Sequence, residues 1–190
     1  GNNRAVNNAG FGFNLYPSEN NVVENNRAEK NSNVGFYFEG KNYELRNNQA
    51  MNNDSPGFMF WETPNNFLEN NLSENNYNHG FYFYEASNSI LKNNLSDNNG
   101  EYAFWFDNSD DTVLENNYGG NTRKTNYNEE GFYFTDSDNI KLKKNQAVNN
   151  GGDGFLLKKS PNNFIINNLA ENNDCGFDIY SSSDNNVLDN

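Results

Sequence analysis

Gly80-Phe81-Tyr82-Phe83 is the phrase from which the rest of the chain can be read. It returns, with substitutions, as Gly10-Phe11-Gly12-Phe13, Gly35-Phe36-Tyr37-Phe38, Gly57-Phe58-Met59-Phe60, Ala103-Phe104-Trp105-Phe106, Gly131-Phe132-Tyr133-Phe134, Gly154-Phe155-Leu156-Leu157 and Gly176-Phe177-Asp178-Ile179. Counted on the last residue of each phrase, the intervals are 25, 22, 23, 23, 28, 23 and 22 residues. A fixed period of this size marks a solenoid, in which each unit buries its apolar residues against its neighbours.

Composition alone points elsewhere. The chain holds 47 Asn among 190 residues, 34% hydrophobic residues and a net charge of -13, and its mean hydropathy is -1.04. Such values suit disorder. Yet 14 of the 16 Phe fall in the two columns of the repeated phrase, a placement disorder does not produce. No apolar run is long enough to span a membrane. The acidic balance argues against nucleic acid, which requires a basic stripe. Cys175 is alone, so no disulfide framework and no Cys-based zinc site is expected.

The last residue of each phrase serves as zero. Residues at -2 and 0 share one face of a strand and point inward, because side chains alternate with period two. At +8 stands an aliphatic column: Leu68, Leu91, Leu114, Leu142, Ile165 and Val187. Val23 and Leu45 join it if the first turn is two residues longer in the first coil and one shorter in the second. At +11 the residue is Asn throughout, from Asn26 and Asn48 to Asn168 and Asn190. At +13 it is always small: Ala28, Ala50, Ser73, Ser96, Gly119, Ala147 and Ala170. A second Asn column at +16 is broken by Thr122. Three short strands per coil follow, with bends between them. The paired Phe face a small-residue wall, as close packing demands. Stacked Asn amides at strand spacing bond from rung to rung. The sequons at Asn53, Asn71 and Asn94 lie in these columns and are expected to point inward.

The order Gly-Phe-x-Phe, a turn bearing Ser and Asn, then aliphatic-x-x-Asn, as from Gly80 to Asn94, resembles the right-handed parallel β-helix repeat of the pectin-lyase-like superfamily, nearest the NosD-type and surface-protein repeats. The expected fold is all-β: a single-stranded solenoid of about eight coils of roughly 23 residues, with no helix in its body. Asn2-Asn3-Arg4-Ala5 matches Asn25-Asn26-Arg27-Ala28, and the chain stops at an Asn-column position. Residues 1–190 therefore read as one domain with uncapped ends, excerpted from a longer array. The resemblance implies an extracellular or cell-surface setting.

It also implies that any polysaccharide lies on the outer face of the first strand. There Tyr37, Trp61, Tyr82, Tyr84, Trp105 and Tyr133 form an aromatic strip, flanked by Glu39, Glu62, Glu85, Asp107 and Asp136. Aromatic platforms beside carboxylates suit sugar rings, or a neighbouring β-helix subunit or domain. The leading reading is a non-catalytic carbohydrate-binding or scaffold module. The alternative is a polysaccharide-degrading enzyme with acids drawn from Glu85, Asp107 and Asp136, since glycosidases need two carboxylates at defined separation. A self-associating fibre or envelope component is the third. No cofactor is required. Calcium has a candidate cluster in Asp107, Asp110 and Asp111. The NosD resemblance implies copper, but one His and two Met are few soft ligands, and His79 reads as a turn residue. The 28-residue coil is expected to carry an outward loop between Tyr118 and Glu130, with Arg123 and Lys124 beside the strip.

Overall fold

The computed structural model describes residues 1–123 and 129–190. Every regular element in it is a β-strand. One coil consists of Phe81–Tyr84, Ile90–Lys92 and Leu95–Asp97. The next coil lays Phe104, Val113 and Tyr118 over Phe81, Ile90 and Leu95, parallel and in register. Repetition gives three parallel sheets of eight strands, one per strand of the coil.

The core is a set of side-chain columns. Phe36, Phe58, Phe81, Phe104, Phe132 and Phe155 are fully buried, and neighbouring rings stack at 4.7–4.9 Å. Phe38, Phe60, Phe83, Phe106 and Phe134 form a second stack at 4.5–5.0 Å. These distances match strand spacing, so backbone pairing and ring stacking reinforce each other. Opposite them, Ala28, Ala50, Ser73, Ser96 and Ala147 are fully buried.

The fit at this wall explains the first residue of the phrase. A Cβ on Gly80 would stand 1.9 Å from Ser96 Oγ and 2.5 Å from the Ala103 carbonyl oxygen. One coil on, the phrase begins with Ala103, and the wall residue there is Gly119, whose added Cβ would meet the Ala103 Cβ at 3.0 Å. The methyl group has changed sides while the volume is kept.

The frequent Asn-Asn doublets divide two tasks. The first Asn takes the left-handed backbone that turns the corner, as at Asn93 (φ 54°) and Asn98 (φ 52°). The second points inward and joins the ladder. Asn94 Nδ2 donates to Asn117 Oδ1 at 3.0 Å and to the Leu68 carbonyl at 3.1 Å. Its Oδ1 accepts from the backbone N and from Nδ2 of Asn71, both at 3.0 Å. The sequon residues Asn53, Asn71 and Asn94 are all buried ladder members. Asn94→Ala is expected to cost about 1–3 kcal/mol, because buried backbone groups lose their partners. Asn88 is exposed but holds φ 58°, so the appropriate surface comparison is Asn88→Gly, which keeps that backbone accessible. Equal melting temperatures for the two variants would contradict the ladder's role.

The first coil corrects one register. Phe13 pairs with Phe36 and Leu15 with Phe38, so its phrase is Gly12-Phe13-Asn14-Leu15. Gly12, expected to face outward, takes the wall position: a Cβ there would lie 2.7 Å from the Ala28 Cβ. Asn14 and Tyr16 are the outward residues, and Phe11 leaves the core to pack on Tyr37. With Leu15 as zero, Val23 falls at +8 without any extension, and the first interval becomes 23 residues. The second coil is indeed one residue short at its first turn. Tyr43 fills the space there, fully buried, and its hydroxyl donates to the Glu39 carbonyl at 2.7 Å.

In the fifth coil the additional residues lie between Thr122 and Glu130, since the strands Tyr118–Gly120 and Phe132–Thr135 keep their places in the sheets. Lys124, and with it the expected outward loop, falls in 124–128, outside the described residues. Arg123 donates to the Asn98 carbonyl at 3.1 Å and the Asn76 carbonyl at 3.0 Å.

Candidate functional site

The outer face of the Phe sheet carries two columns in every strand, one either side of the second inward residue. Tyr37, Tyr82, Trp105 and Tyr133 occupy the first column, and Trp61, Tyr84 and Asp107 the second. The rings are half-buried rather than fully exposed, because they cover one another. Tyr82 stacks on Trp105 at 4.3 Å, and Trp61 on Tyr84 at 4.3 Å. Trp105 continues to Tyr133 at 6.1 Å. At the low-number end Tyr16 extends the second column and is 60% exposed, a member the misphased first coil conceals. Burial raises the Tyr82 phenol to about 12, with Asp107 adding to the effect. Burial likewise raises Tyr37 to about 12, together with the hydroxyl it donates to Glu39 at 3.0 Å. These hydroxyls are neutral donors at ordinary pH.

The candidate acids flank the second column. Glu62, Glu85 and Asp136 sit at exposed left-handed bends just after the strands, with φ between 47° and 52°. Asp107 ends its strand between the coils of Glu85 and Asp136. Burial first, then the Asp136 and Glu85 charges, raises its carboxyl above the usual range. Asp110 and Asp111 do not join it. Asp110 accepts from the Asp138 backbone N at 2.7 Å, and Asp111 lines a shallow trough with Val113, Lys141 and Phe164. Among the described residues, no three His, Cys, Asp or Glu side chains converge as a metal site.

A third column lies beside the strip and was not singled out in the sequence. It is formed by the residue just before the first residue of each phrase. His79, Tyr102, Glu130 and Asp153 follow one another in it, linked through the backbone bonds Gly80 N to Tyr102 O, Ala103 N to Glu130 O and Gly131 N to Asp153 O at 2.9–3.1 Å. His79 stacks on Tyr102 at 5.2 Å and meets Trp105 edge-on at 4.9 Å. Tyr102 touches both Trp105 and Tyr133, at 5.4 and 5.1 Å. Burial lowers His79 to about 3, so its Nδ1, 3.4 Å from Glu101 Oε2, belongs to a neutral imidazole and forms no ion pair. Burial raises Glu130 to about 7, with Asp153 and Glu129 contributing. Three buried polar atoms in this region lack a hydrogen-bond partner: His79 Nδ1, Trp105 Nε1 and Glu130 Oε2.

A stacked solenoid with this lateral face is a parallel β-helix. The family model for the right handed beta helix region matches residues 1–124, and the chain belongs to that family. Residues 98–190 match the model described as periplasmic copper-binding protein (NosD). Among solved structures, the chain is similar to the A-module of the Azotobacter vinelandii mannuronan C-5 epimerase AlgE4, at 17% identity and a TM-score of 0.74 over 90% of this chain and 54% of that one. It is similar to the periplasmic alginate epimerase AlgG at 19% identity and 0.70, over 91% and 47%. It is also similar to the DFA-IIIase of Arthrobacter chlorophenolicus A6 at 10% identity and 0.65, over 97% and 53%. The chain thus spans about half the length of each, and the likeness is one of fold. No curated protein matches the sequence.

The residues present do not fit copper. His79 is enclosed by Tyr82, Tyr102 and Trp105, with Glu101 at its Nδ1. Cys175 is exposed four coils away, and of the two Met only Met59 is on this face, Met51 lying in the third sheet. No soft ligand set surrounds one point.

Proposed function

We propose that this β-helix binds a polysaccharide along the outer face of its Phe sheet, as a module of a secreted, periplasmic or cell-surface protein. The observation that carries the reading is the pair of ring stacks on that face, Trp61 on Tyr84 and Tyr82 on Trp105 on Tyr133, bordered by carboxylates and neutral phenols. Its faces offer apolar platforms to sugar rings, and its rim offers donors and acceptors to hydroxyls. A strip running along the solenoid axis suits a chain ligand with a repeating unit. The alginate and mannuronan epimerases of similar fold act on polysaccharides by their names, which supports the class of ligand. The periplasmic descriptions of NosD and AlgG support the setting.

Binding is favoured over catalysis because stacked rings cover this face over four successive coils. One observation supports a hydrolytic reading: Asp107, whose carboxyl is raised above the usual range by burial and by Asp136 and Glu85, lies near carboxylates from adjacent coils. Glycoside hydrolysis uses a pair of carboxyl groups, one of them with a raised pKa. Release of reducing ends from a bound glycan would establish it.

Replacing Trp61 and Tyr84 together by Ala is expected to weaken polysaccharide binding about tenfold to a hundredfold, from the loss of two stacking rings. The melting temperature should change little, since both rings lie outside the core. Affinity electrophoresis against immobilised glycans reads the first quantity. Unchanged retardation of the double variant would overturn the proposal.

A further inference from the structure

Buried polar groups in native proteins are almost always paired. The edge of the aromatic strip breaks that rule at Glu130 Oε2, Trp105 Nε1 and His79 Nδ1. Glu130 is 1% exposed and His79 6%. His79, Tyr102, Trp105 and Tyr133 form a connected set of rings, and the Glu130 carboxyl acts on Tyr102 and Tyr133, so these atoms border one locality, spread over three adjacent coils.

The charge around that locality is mainly negative. Over coils three to six, the outward positions of the Phe strands and the column beside them hold no Lys or Arg among the described residues. They hold Asp107 and Glu130, with Glu62, Glu85 and Asp136 at the bends just after the strands and Glu101 and Glu129 adjoining the column. Lys159 approaches only the far corner, 3.9 Å from Asp136. The Arg123 guanidinium lies at the same bend as His79 and Tyr102, where it donates to the carbonyls of Asn76 and Asn98.

We infer that the edge formed by His79, Tyr102, Trp105 and Glu130 is a subsite for glycans that carry no negative charge, whose hydroxyl oxygens accept from Trp105 Nε1 and whose hydroxyl or amino groups pair with Glu130 Oε2. This rests on the glycan-binding reading of the strip and narrows it. A polyuronate would bring carboxylates against the clustered acids Glu62, Glu85, Asp107 and Asp136, where among the described residues the one nearby Arg, Arg123, already donates to two carbonyls, and low local dielectric strengthens that repulsion. A neutral sugar satisfies the orphaned atoms without that cost. An amino sugar satisfies them and relieves the repulsion among the acids as well. Below about pH 7 the Glu130 carboxyl holds its proton and can donate to a sugar oxygen.

The test is calorimetric titration of the full chain at pH 6 with three hexamers: xylohexaose, a glucosamine hexamer and a mannuronate hexamer. At least one of the first two is expected to bind at least tenfold tighter than mannuronate, and which of them does so distinguishes the neutral from the amino ligand. Glu130→Leu and Trp105→Phe should each weaken that binding several-fold, and Glu130→Gln should retain it, with melting curves showing all three folded. Mannuronate bound as tightly as the others would overturn the inference and leave the strip a glycan surface. Unchanged binding in both Glu130→Leu and Trp105→Phe would overturn the subsite. No binding of any hexamer would overturn both the subsite and the glycan reading.

Discussion

Phe83→Ala is expected to lower stability by about 3–5 kcal/mol, whereas Tyr82→Ser, one residue away, costs only about 1 kcal/mol. Phe83 is fully buried between Phe60 at 4.5 Å and Phe106 at 4.6 Å. Its removal leaves a gap in a column whose rungs are pinned by backbone pairing on both sides, so the site cannot collapse to fill it. Tyr82 lies on the outer face and loses mainly its stacking on Trp105. Urea unfolding of both variants measures the difference. Comparable losses would place Tyr82 in the core and dissolve the lateral face.

The second large effect depends on pH. Glu130 titrates near 7 in the folded chain against 4.5 as an ordinary carboxyl. Between those values the folded protein keeps a proton that the unfolded chain has released, so stability falls as pH rises through this window and levels off above it. The cost at neutral pH is on the order of 3 kcal/mol. Glu130→Gln never ionises. It should match the wild type near pH 4.5 and exceed it in stability by up to about 3 kcal/mol at pH 7.5. His79 acts in the opposite sense. Burial holds it near 3 rather than 6.5, so its contribution is lost as pH falls from 6.5 toward 3. It is common to both proteins and cancels in the comparison. A stability difference that does not vary with pH would show that Glu130 is solvated like any surface acid.

Much of the architecture was legible because it is periodic. The Phe columns, the small wall and the Asn ladders recur at fixed offsets, and the three sheets follow from those offsets. The first coil misled for a physical reason. Gly10-Phe11-Gly12-Phe13 and Gly12-Phe13-Asn14-Leu15 are overlapping versions of one phrase, displaced by two residues. A shift of two leaves inward and outward faces unchanged, so alternation cannot choose between them. The close approach of Gly12 to Ala28, 16 residues onward, does choose. The doublets were read only in part: the ladder Asn was recognised, and its left-handed predecessor was not.

The candidate site divides along the same line. The aromatic strip was visible because aromatics recur at outward positions. The neighbouring column was not, because Pro56, His79, Tyr102, Glu130 and Asp153 share an offset but no chemistry. Its signal was positional, the residue before each phrase. His79 was read as a turn residue. It does occupy the turn, and it is also enclosed by three rings there.

The central claim is that a glycan lies on the outer face of the Phe sheet. The most direct measurement uses the two Trp residues, Trp61 and Trp105, both on that face. In a two-dimensional proton–nitrogen spectrum each gives one indole N–H signal. Titration with a bound oligosaccharide should move both signals, along with backbone amides of the strands Phe58–Trp61, Phe81–Tyr84 and Phe104–Asp107. Amides of Ile90–Lys92 and Leu95–Asp97, on the other two sheets, should stay in place. Shifts confined to those two sheets, with both indole signals unmoved, would contradict the account.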